Sequence, residues 1–289
     1  MTNKRVKLQK AEKESILYHY TKSNGINGIM KNNCFWATKS DFLNDPNEFS
    51  YIKEIVVAVC KEYIKNPMWR KMFLKDILKE TVIINGGKNK EYFVLAFSSC
   101  RDSITMWSEF GNKTGYNIGF DCEKIIRRIE ETNVVEYHGF VIYDPQLQKR
   151  LIQRIINDYL PEVTGIALPE ILELGSRNHK DERYRKACRK FQKIVAVYAM
   201  FFKHEGFAQE REYRFVFKKQ KETEVLFREK DGFMIPYIDI QLSEERLPVK
   251  EIMVAPQNHI DLAKNGMEYM MRSKGYQVKI SLSNIKLRY

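Results

Sequence analysis

Two glutamates near position 211 are the sharpest chemical feature of the sequence. Glu210 and Glu212 lie in the segment EREYRFVF, with Arg211 and Arg214 beside them. Charged residues alternate with aromatic ones here, which predicts a strand over residues 211–218, and residues two apart on a strand share one face. Neighbouring carboxylates repel unless a cation, a positive transition state or arginines offset them. The pair therefore indicates either catalysis or a surface ion-pair network with the arginines.

A histidine within an aromatic strand is the second candidate. The segment ILYHYT (residues 16–21) is rich in β-branched and aromatic residues and predicts a strand in which His19 alternates with Tyr18 and Tyr20. A histidine at such a position is either a core residue bonded to a backbone carbonyl or a group that donates and accepts hydrogen bonds at a site.

A strand that ends in hydroxyl groups is the third candidate. The segment YFVLAFS ends at Ser98 and is followed by Ser99, and MWSEFG comes later with Trp107 and Ser108. Hydroxyls that lead into an aromatic helix are typical of the lip of a pocket. Trp107 is predicted either to pack in the core or to stack on a ligand.

The candidate residues must be positioned by a fold, and the sequence predicts one that contains both helices and strands. Strands over residues 16–21, 34–38, 92–98, 115–122 and 211–218 are not matched one for one by helices. We therefore expect an α+β fold with a mixed, largely antiparallel sheet. One domain over residues 1–289 is predicted, with a mainly helical insertion at about 145–205.

Composition narrows the function classes. The chain has 289 residues, five dispersed cysteines and a formal net charge of +12. Without a C-x-x-C pair, a disulfide scaffold or zinc ribbon is disfavoured, and no apolar run approaches a membrane span. The charge favours a polyanionic partner such as nucleic acid or a dinucleotide. No signal peptide is recognised, so a cytoplasmic location is expected, and the oligomeric state is left open.

Several segments in order resemble a bacterial family known only as a domain of unknown function. They are LYHYT, FWATK, LNDPNEF, FSSC, MWSEFGNKTGYNIGFD, FKHEGFAQEREYRFVF, EIMVAP and SNIKLRY. This resemblance runs nearly end to end. It implies a common fold but no activity.

The strand with His19, the helix after it and the aromatic strand CFWAT also resemble the start of the ADP-ribosyltransferase superfamily. This resemblance implies an ADP-ribosyltransferase-like fold, with His19 at the first site position and Glu212 at the last, preceded by Glu210. The middle position stays open between Ser98 or Ser99 and the region of Trp107 and Ser108. The helical insertion departs from the compact transferase fold.

The resemblance implies that NAD is consumed as a substrate and that no metal is needed. Cleavage of its nicotinamide–ribose bond develops positive charge on the ribose, which a carboxylate stabilises. The expected catalytic residues are His19, Glu212 and Glu210. The residues expected to bind the dinucleotide are Tyr18, Tyr20, Thr21, Ser98, Trp107, Ser108 and Arg214.

Three functions stay open at this point. The first is an NAD-consuming ADP-ribosyltransferase-like enzyme, a toxin or phage-defence effector that modifies nucleic acid or protein. The second is a non-catalytic module that binds nucleic acid or another polyanion in defence or sensing. The third is a metal-dependent nuclease that uses Asp45, Glu48, Glu210 and Glu212.

Overall fold

The computed structural model describes residues 6–44, 50–78, 91–111, 115–230, 232–256 and 260–286. The chain divides into two units. The helical unit comprises Met1–Lys7, Leu43–Glu91 and Val141–Ala208, and the sheet unit comprises Leu8–Phe42, Tyr92–Phe140 and Gln209–Tyr289. The prediction of one domain with a helical insertion at about 145–205 stays a prediction.

The described part of the sheet unit contains ten strands. They are β1 (Ile16–Thr21), β2 (Cys34–Lys39), β3 (Tyr92–Ser98), β4 (Tyr116–Asp121), β5 (Val135–Phe140), β6 (Glu212–Lys218), β7 (Leu226–Lys230), β8 (Phe233–Gln241), β9 (Val249–Val254) and β10 (Lys279–Leu282). All neighbours pair antiparallel except β9 and β10. The predicted α+β class with a largely antiparallel sheet is confirmed.

Strand β3 is the branch point of the sheet. One edge of β3 pairs along its whole length with β6. The other edge pairs with β2 at Phe93 and Val94 but with β1 at Ser98. Strands β1 and β2 therefore diverge from β3, and we call the gap between them the fork. From the fork, β1 leads to β4, β9 and β10, and β2 leads to β8 and β7.

The two faces of the sheet differ in what they bury. The core face carries the main apolar cluster, which includes Leu17, Phe35, Phe97, Ile118 and Phe215. The second face carries the alternate residues of the same strands, with a smaller aromatic cluster. Because the side-chain period of a strand is two, the pairing register decides which residues share the second face.

Helices complete both units. In the sheet unit they cover Ser23–Asn32, Ile104–Met106, Cys122–Glu131 and Ile260–Ser273, and a π-helical turn covers Trp107–Gly111. In the helical unit they cover Ile52–Tyr63, Pro67–Ile77, Pro145–Arg154, Leu160–Thr164, Leu168–Arg177 and Glu182–Ala199, with a π-helical turn at Ile155–Tyr159. Within the described ranges, no helix has the length and hydropathy required to cross a membrane.

Candidate active site

A row of three side chains crosses the sheet at the strands that were predicted to carry the site. Tyr18 of β1 lies opposite Ser98 of β3, and Ser98 lies opposite Glu212 of β6. Directly opposed residues in antiparallel strands project from the same face. Strands that are distant in sequence are thus neighbours, and these three residues share the second face.

Glu212 and Arg214 form a bidentate ion pair on that face. Arg214 donates from Nε to Oε1 and from Nη2 to Oε2 of Glu212, both at 2.7 Å. Only 6% of Glu212 and 1% of Arg214 is exposed. The guanidinium favours the ionised carboxylate and fixes the direction of both oxygens. This ion pair is buried rather than part of a surface network, and Arg214 uses two donors on Glu212 that a diphosphate would otherwise engage.

Arg211 separates the two glutamates. Its φ is 43°, in the left-handed region that residues other than glycine seldom adopt. Strand β6 begins only at Glu212, whereas Glu210 ends a 3-10 turn over Glu205–Glu210. The prediction that residue 211 already belongs to the strand, so that Glu210 and Glu212 share its face, is therefore wrong. Glu210 is buried in the turn before the strand.

Ser98 holds this turn in place. Its Oγ donates to the backbone oxygen of Glu210 at 2.6 Å and accepts from the backbone N–H of Cys100 at 3.0 Å. The neighbouring Ser99 donates its N–H to the backbone oxygen of Arg211 at 3.0 Å. The Ser98 hydroxyl therefore fixes the head of β6 rather than offering its donor to a ligand.

His19 lies in the fork. Alternation along β1 turns its side chain away from the face of Tyr18, and its ring contacts Phe35 and Phe97 of the core face, with centroids 5.5 and 5.4 Å away. Its Nδ1 lies 3.0 Å from the backbone oxygen of Ala96. That oxygen is an acceptor, so Nδ1 carries the hydrogen. The structure does not bring His19 together with Glu212, because the register places them on opposite faces.

The position of Ala96 explains this contact. Peptide groups along an edge of a strand alternate in direction. Ser99 donates its N–H to Arg211, so every second residue of β3, counted back from Ser99, directs its peptide group toward β6. Ala96 belongs to the other set, which directs its peptide groups toward the fork. There, neither β1 nor β2 pairs with Ala96. The imidazole supplies the donor that a strand would otherwise provide, which is the core-histidine interpretation of this residue.

Burial lowers the pKa of His19 to about 4; the bond to Ala96 opposes the shift and Arg228 adds to it. The imidazole is therefore neutral at pH 7. With Nδ1 protonated, Nε2 is left as an acceptor, and the described part of the chain provides no donor to it.

The three aromatic residues expected to bind the dinucleotide pack into the protein. Tyr18, Tyr20 and Trp107 are all buried, with only 1% of Trp107 exposed. The rings of Tyr20 and Trp107 meet edge to face at 4.7 Å. Tyr20 donates its hydroxyl to the backbone oxygen of Cys100 at 2.9 Å. A ligand would have to displace these contacts to stack on either ring.

Sequence reasoning missed a polar cluster on the second face. Glu251 Oε1 accepts from Tyr18 Oη at 2.9 Å and from Arg101 Nε at 2.8 Å, and Oε2 accepts from Arg101 Nη2 at 3.0 Å. Hydrogen bonding to Arg101 and Tyr18 lowers the pKa of Glu251 although burial opposes the shift. Glu251 is 233 residues from Tyr18, so only strand pairing reveals the contact.

A second missed residue, Asp102, ties the loop after β3 to the C-terminal segment. It accepts from Trp107 Nε1 at 2.7 Å, from Ser283 Oγ at 2.8 Å and from the backbone N–H of Asn284 at 2.9 Å. The local sequence gave no signal for these contacts, because the N-cap of the short helix is the next residue, Ser103, and two of the partners of Asp102 are remote in sequence.

Thr21 and Ser108 occupy different surroundings. Thr21 ends β1 and is half-buried, and a Cβ added to Gly25 would lie 2.0 Å from Thr21 Oγ1, so a side chain at residue 25 would have to displace this hydroxyl. Ser108 is exposed on the π-helical turn. Asp45 and Glu48 of the proposed nuclease site lie outside the described residues. Within the described ranges, no group of three or more histidine, cysteine or acidic side chains is arranged to hold a metal ion.

The family comparison covers part of the chain. Residues 106–215 match the model of a family described as "Protein of unknown function (DUF2971)". The matched stretch includes the MWSEFG and EREYRF segments and ends within β6. No curated protein and no solved structure matches the chain. The predicted resemblance to an uncharacterised family is confirmed over this stretch, which is similar to that family.

Proposed function

We propose that the protein is an NAD-consuming, ADP-ribosyltransferase-like enzyme in which Glu212 stabilises the ribose cation. The observation that carries the proposal is the row Tyr18–Ser98–Glu212 across the adjacent strands β1, β3 and β6. The resemblance assigns its first site position to β1 and its last to β6, and it leaves the middle position open between the end of β3 and the region of Trp107 and Ser108. Their adjacency supports an ADP-ribosyltransferase-like fold.

The chemistry requires a carboxylate that is ionised and fixed. In the reaction, the bond between C1′ of the ribose and the nicotinamide nitrogen breaks, and nicotinamide leaves with the electron pair. Water or an acceptor group then attacks C1′ and loses its proton. The bidentate contact from Arg214 orients the oxygens of Glu212, so that negative charge is already in place where positive charge develops on the ribose.

His19 does not share this role in the proposal. Its Nε2 acceptor lies on the opposite side of β1 from Tyr18, and its Nδ1–H serves Ala96. The reaction at Glu212 therefore relies on the second face alone. Within this proposal His19 positions the fork.

Substituting Glu212→Gln tests the proposal. We expect purified wild-type protein to release nicotinamide from NAD, and the variant to lose at least about 100-fold in kcat, because an amide does not stabilise the ribose cation electrostatically. Nicotinamide release is followed by chromatography, and the folded fraction by circular dichroism.

Glu251→Gln is the matched control. It breaks a second arginine–glutamate pair on the same face, with Arg101 in place of Arg214. Glu251→Gln should retain turnover per folded molecule. Equal losses in both variants, or full turnover in folded Glu212→Gln protein, would remove Glu212 from the mechanism.

A second candidate function, polyanion binding, is favoured by the helix Glu182–Ala199. One face of this helix is exposed and basic, with Arg185, Lys186 and Lys193 outside any ion pair in the described part of the chain. An exposed cationic face of this kind attracts phosphate backbones. The salt dependence of nucleic-acid binding tests this candidate.

A further inference from the structure

Arg228 of β7 lies on the second face beside two aromatic residues and a threonine. Strands β2, β8 and β7 are adjacent, and Thr38 lies opposite Tyr237. Arg228 Nη2 donates to Thr38 Oγ1 at 2.8 Å. The guanidinium carbon lies 5.6 Å from the ring centre of Trp36 and 5.9 Å from that of Tyr237. Three strands thus surround one cation.

This cation has no anionic partner among the residues that the structure describes. Asp239 lies opposite Trp36 on the same face, but it is exposed and makes no ion pair with Arg228. Burial lowers the pKa of Arg228, and Tyr237 opposes the shift. A partly buried charge is costly unless an anion compensates it. The surroundings of Arg228 therefore suit an anionic ligand.

Trp36 adds a flat apolar surface to the same place. It is 44% exposed although it belongs to a strand, and its ring lies 4.8 Å from the buried ring of Tyr237. The contact with Tyr237 supports the indole from within the protein. Exposed tryptophan next to arginine is a surface on which planar bases stack.

We propose that Trp36, Thr38 and Arg228 form a binding site for a nucleotide. The base would stack on Trp36, and the phosphate would accept hydrogen bonds from Nε and Nη1 of Arg228, which have no acceptor in the described part of the chain. A phosphate alone leaves the indole uncovered, and a base alone leaves the guanidinium uncompensated. This site does not depend on the reaction proposed at Glu212.

Calorimetric titration with ADP, adenosine, pyrophosphate and a short single-stranded oligonucleotide tests the proposal. We expect ADP or the oligonucleotide to bind more tightly than adenosine and pyrophosphate do. Tighter binding of ADP would identify a free nucleotide as the ligand, and tighter binding of the oligonucleotide would identify a nucleotide within single-stranded nucleic acid. Arg228→Gln should weaken that binding at least about tenfold, because a charge-assisted hydrogen bond is lost.

Lys230→Gln is the matched control, since it removes the same charge from an exposed position two residues along β7. It should change affinity by less than about twofold. Equal weakening by both substitutions would reveal diffuse attraction and overturn the site. Absence of binding by every probe would overturn it as well.

Tryptophan fluorescence tests whether the base stacks on Trp36. Bound nucleotide should quench the emission of Trp36, and Trp36→Leu should abolish this quenching and weaken binding about tenfold, whereas Trp36→Phe should keep part of the affinity. Unchanged affinity in the Leu variant, or pyrophosphate binding as tightly as ADP, would contradict a nucleotide site. Circular dichroism verifies the fold of each variant.

Discussion

At the scale of single residues, His19 shows how one position on a strand decides a role. Tyr18 belongs to the row with Ser98 and Glu212, and His19, the next residue, points into the fork. A shift of one residue along a strand moves a side chain to the other face. The imidazole consequently donates a hydrogen bond to the backbone oxygen of Ala96.

Two substitutions of His19 should distinguish the contribution of its hydrogen-bond donor to stability from that of its ring. We expect His19→Asn, whose amide can donate to Ala96, to be more stable at pH 7 than His19→Leu by about 0.5–1.5 kcal/mol, because the Leu variant loses the hydrogen bond to this carbonyl. Chemical denaturation measures both. Equal stability of the two variants would show that the donor has no effect on folding.

A comparison of wild type with His19→Asn yields a pH test. The pKa of His19 is about 4 in the folded protein and about 6.5 when unfolded, so only the unfolded chain gains a proton between these values. This contribution is complete above pH 6.5 and is lost as the pH falls toward 4. Wild type should therefore lose about 1–2 kcal/mol more than His19→Asn between pH 7 and pH 5. His138, whose pKa burial also lowers to about 4, remains in both proteins and cancels in the difference.

At the scale of elements, the loop between β3 and β4 is fixed from several sides. Tyr20 bonds the backbone oxygen of Cys100, and Asn117 Nδ2 bonds that of Arg101 at 2.6 Å. The π-helical turn ends at Gly111, where a Cβ would lie 2.8 Å from the ring of Trp107. Hydrogen bonds and packing therefore hold the segment that the sequence predicted as a pocket lip.

Asp102 is the residue through which this loop holds the C-terminal segment. Asp102→Ala removes three hydrogen bonds and should lower the free energy of unfolding by about 2–4 kcal/mol. The amide of Asn284 should then exchange its hydrogen faster, because its acceptor is lost. Hydrogen exchange detected by mass spectrometry measures the local effect.

Glu224→Ala is the control for this substitution, since it removes an exposed carboxylate from the loop after β6. It should change neither stability nor exchange. If the Asp102 variant matched it in both measurements, the link between the loop and the C-terminal segment would have no energetic importance.

At the scale of the whole molecule, the net charge of +12 predicts attraction to polyanions. If the basic face of the helix Glu182–Ala199 binds nucleic acid, the triple variant Arg185→Gln, Lys186→Gln, Lys193→Gln should flatten the slope of log K against log salt by about 2–3. Fluorescence anisotropy with a labelled single-stranded oligonucleotide measures the slope.

Lys13, Lys250 and Lys264 supply the control, because each of them pairs with an acid. Changing these three lysines to glutamine removes the same total charge and should leave the slope almost unchanged. Equal flattening by both triple variants would assign binding to overall charge and not to this helix.

The sequence by itself determined the elements. Enrichment in β-branched and aromatic residues predicted β1, and the apolar segment YFVLAFS predicted β3, both at their observed bounds. These succeed because alternation and propensity act over a few residues. Glu212 was recognised on the same grounds, as a charged residue in an apolar strand.

Only the tertiary structure decided which of these residues meet. The left-handed conformation of Arg211, which places Glu210 outside β6, is held by hydrogen bonds from the end of β3. The pair of Arg101 with Glu251 joins positions 150 residues apart. Pairing and register over such separations depend on which strands bury the most apolar surface together, and no local pattern encodes that choice. The face on which each predicted side chain acts was therefore settled by packing.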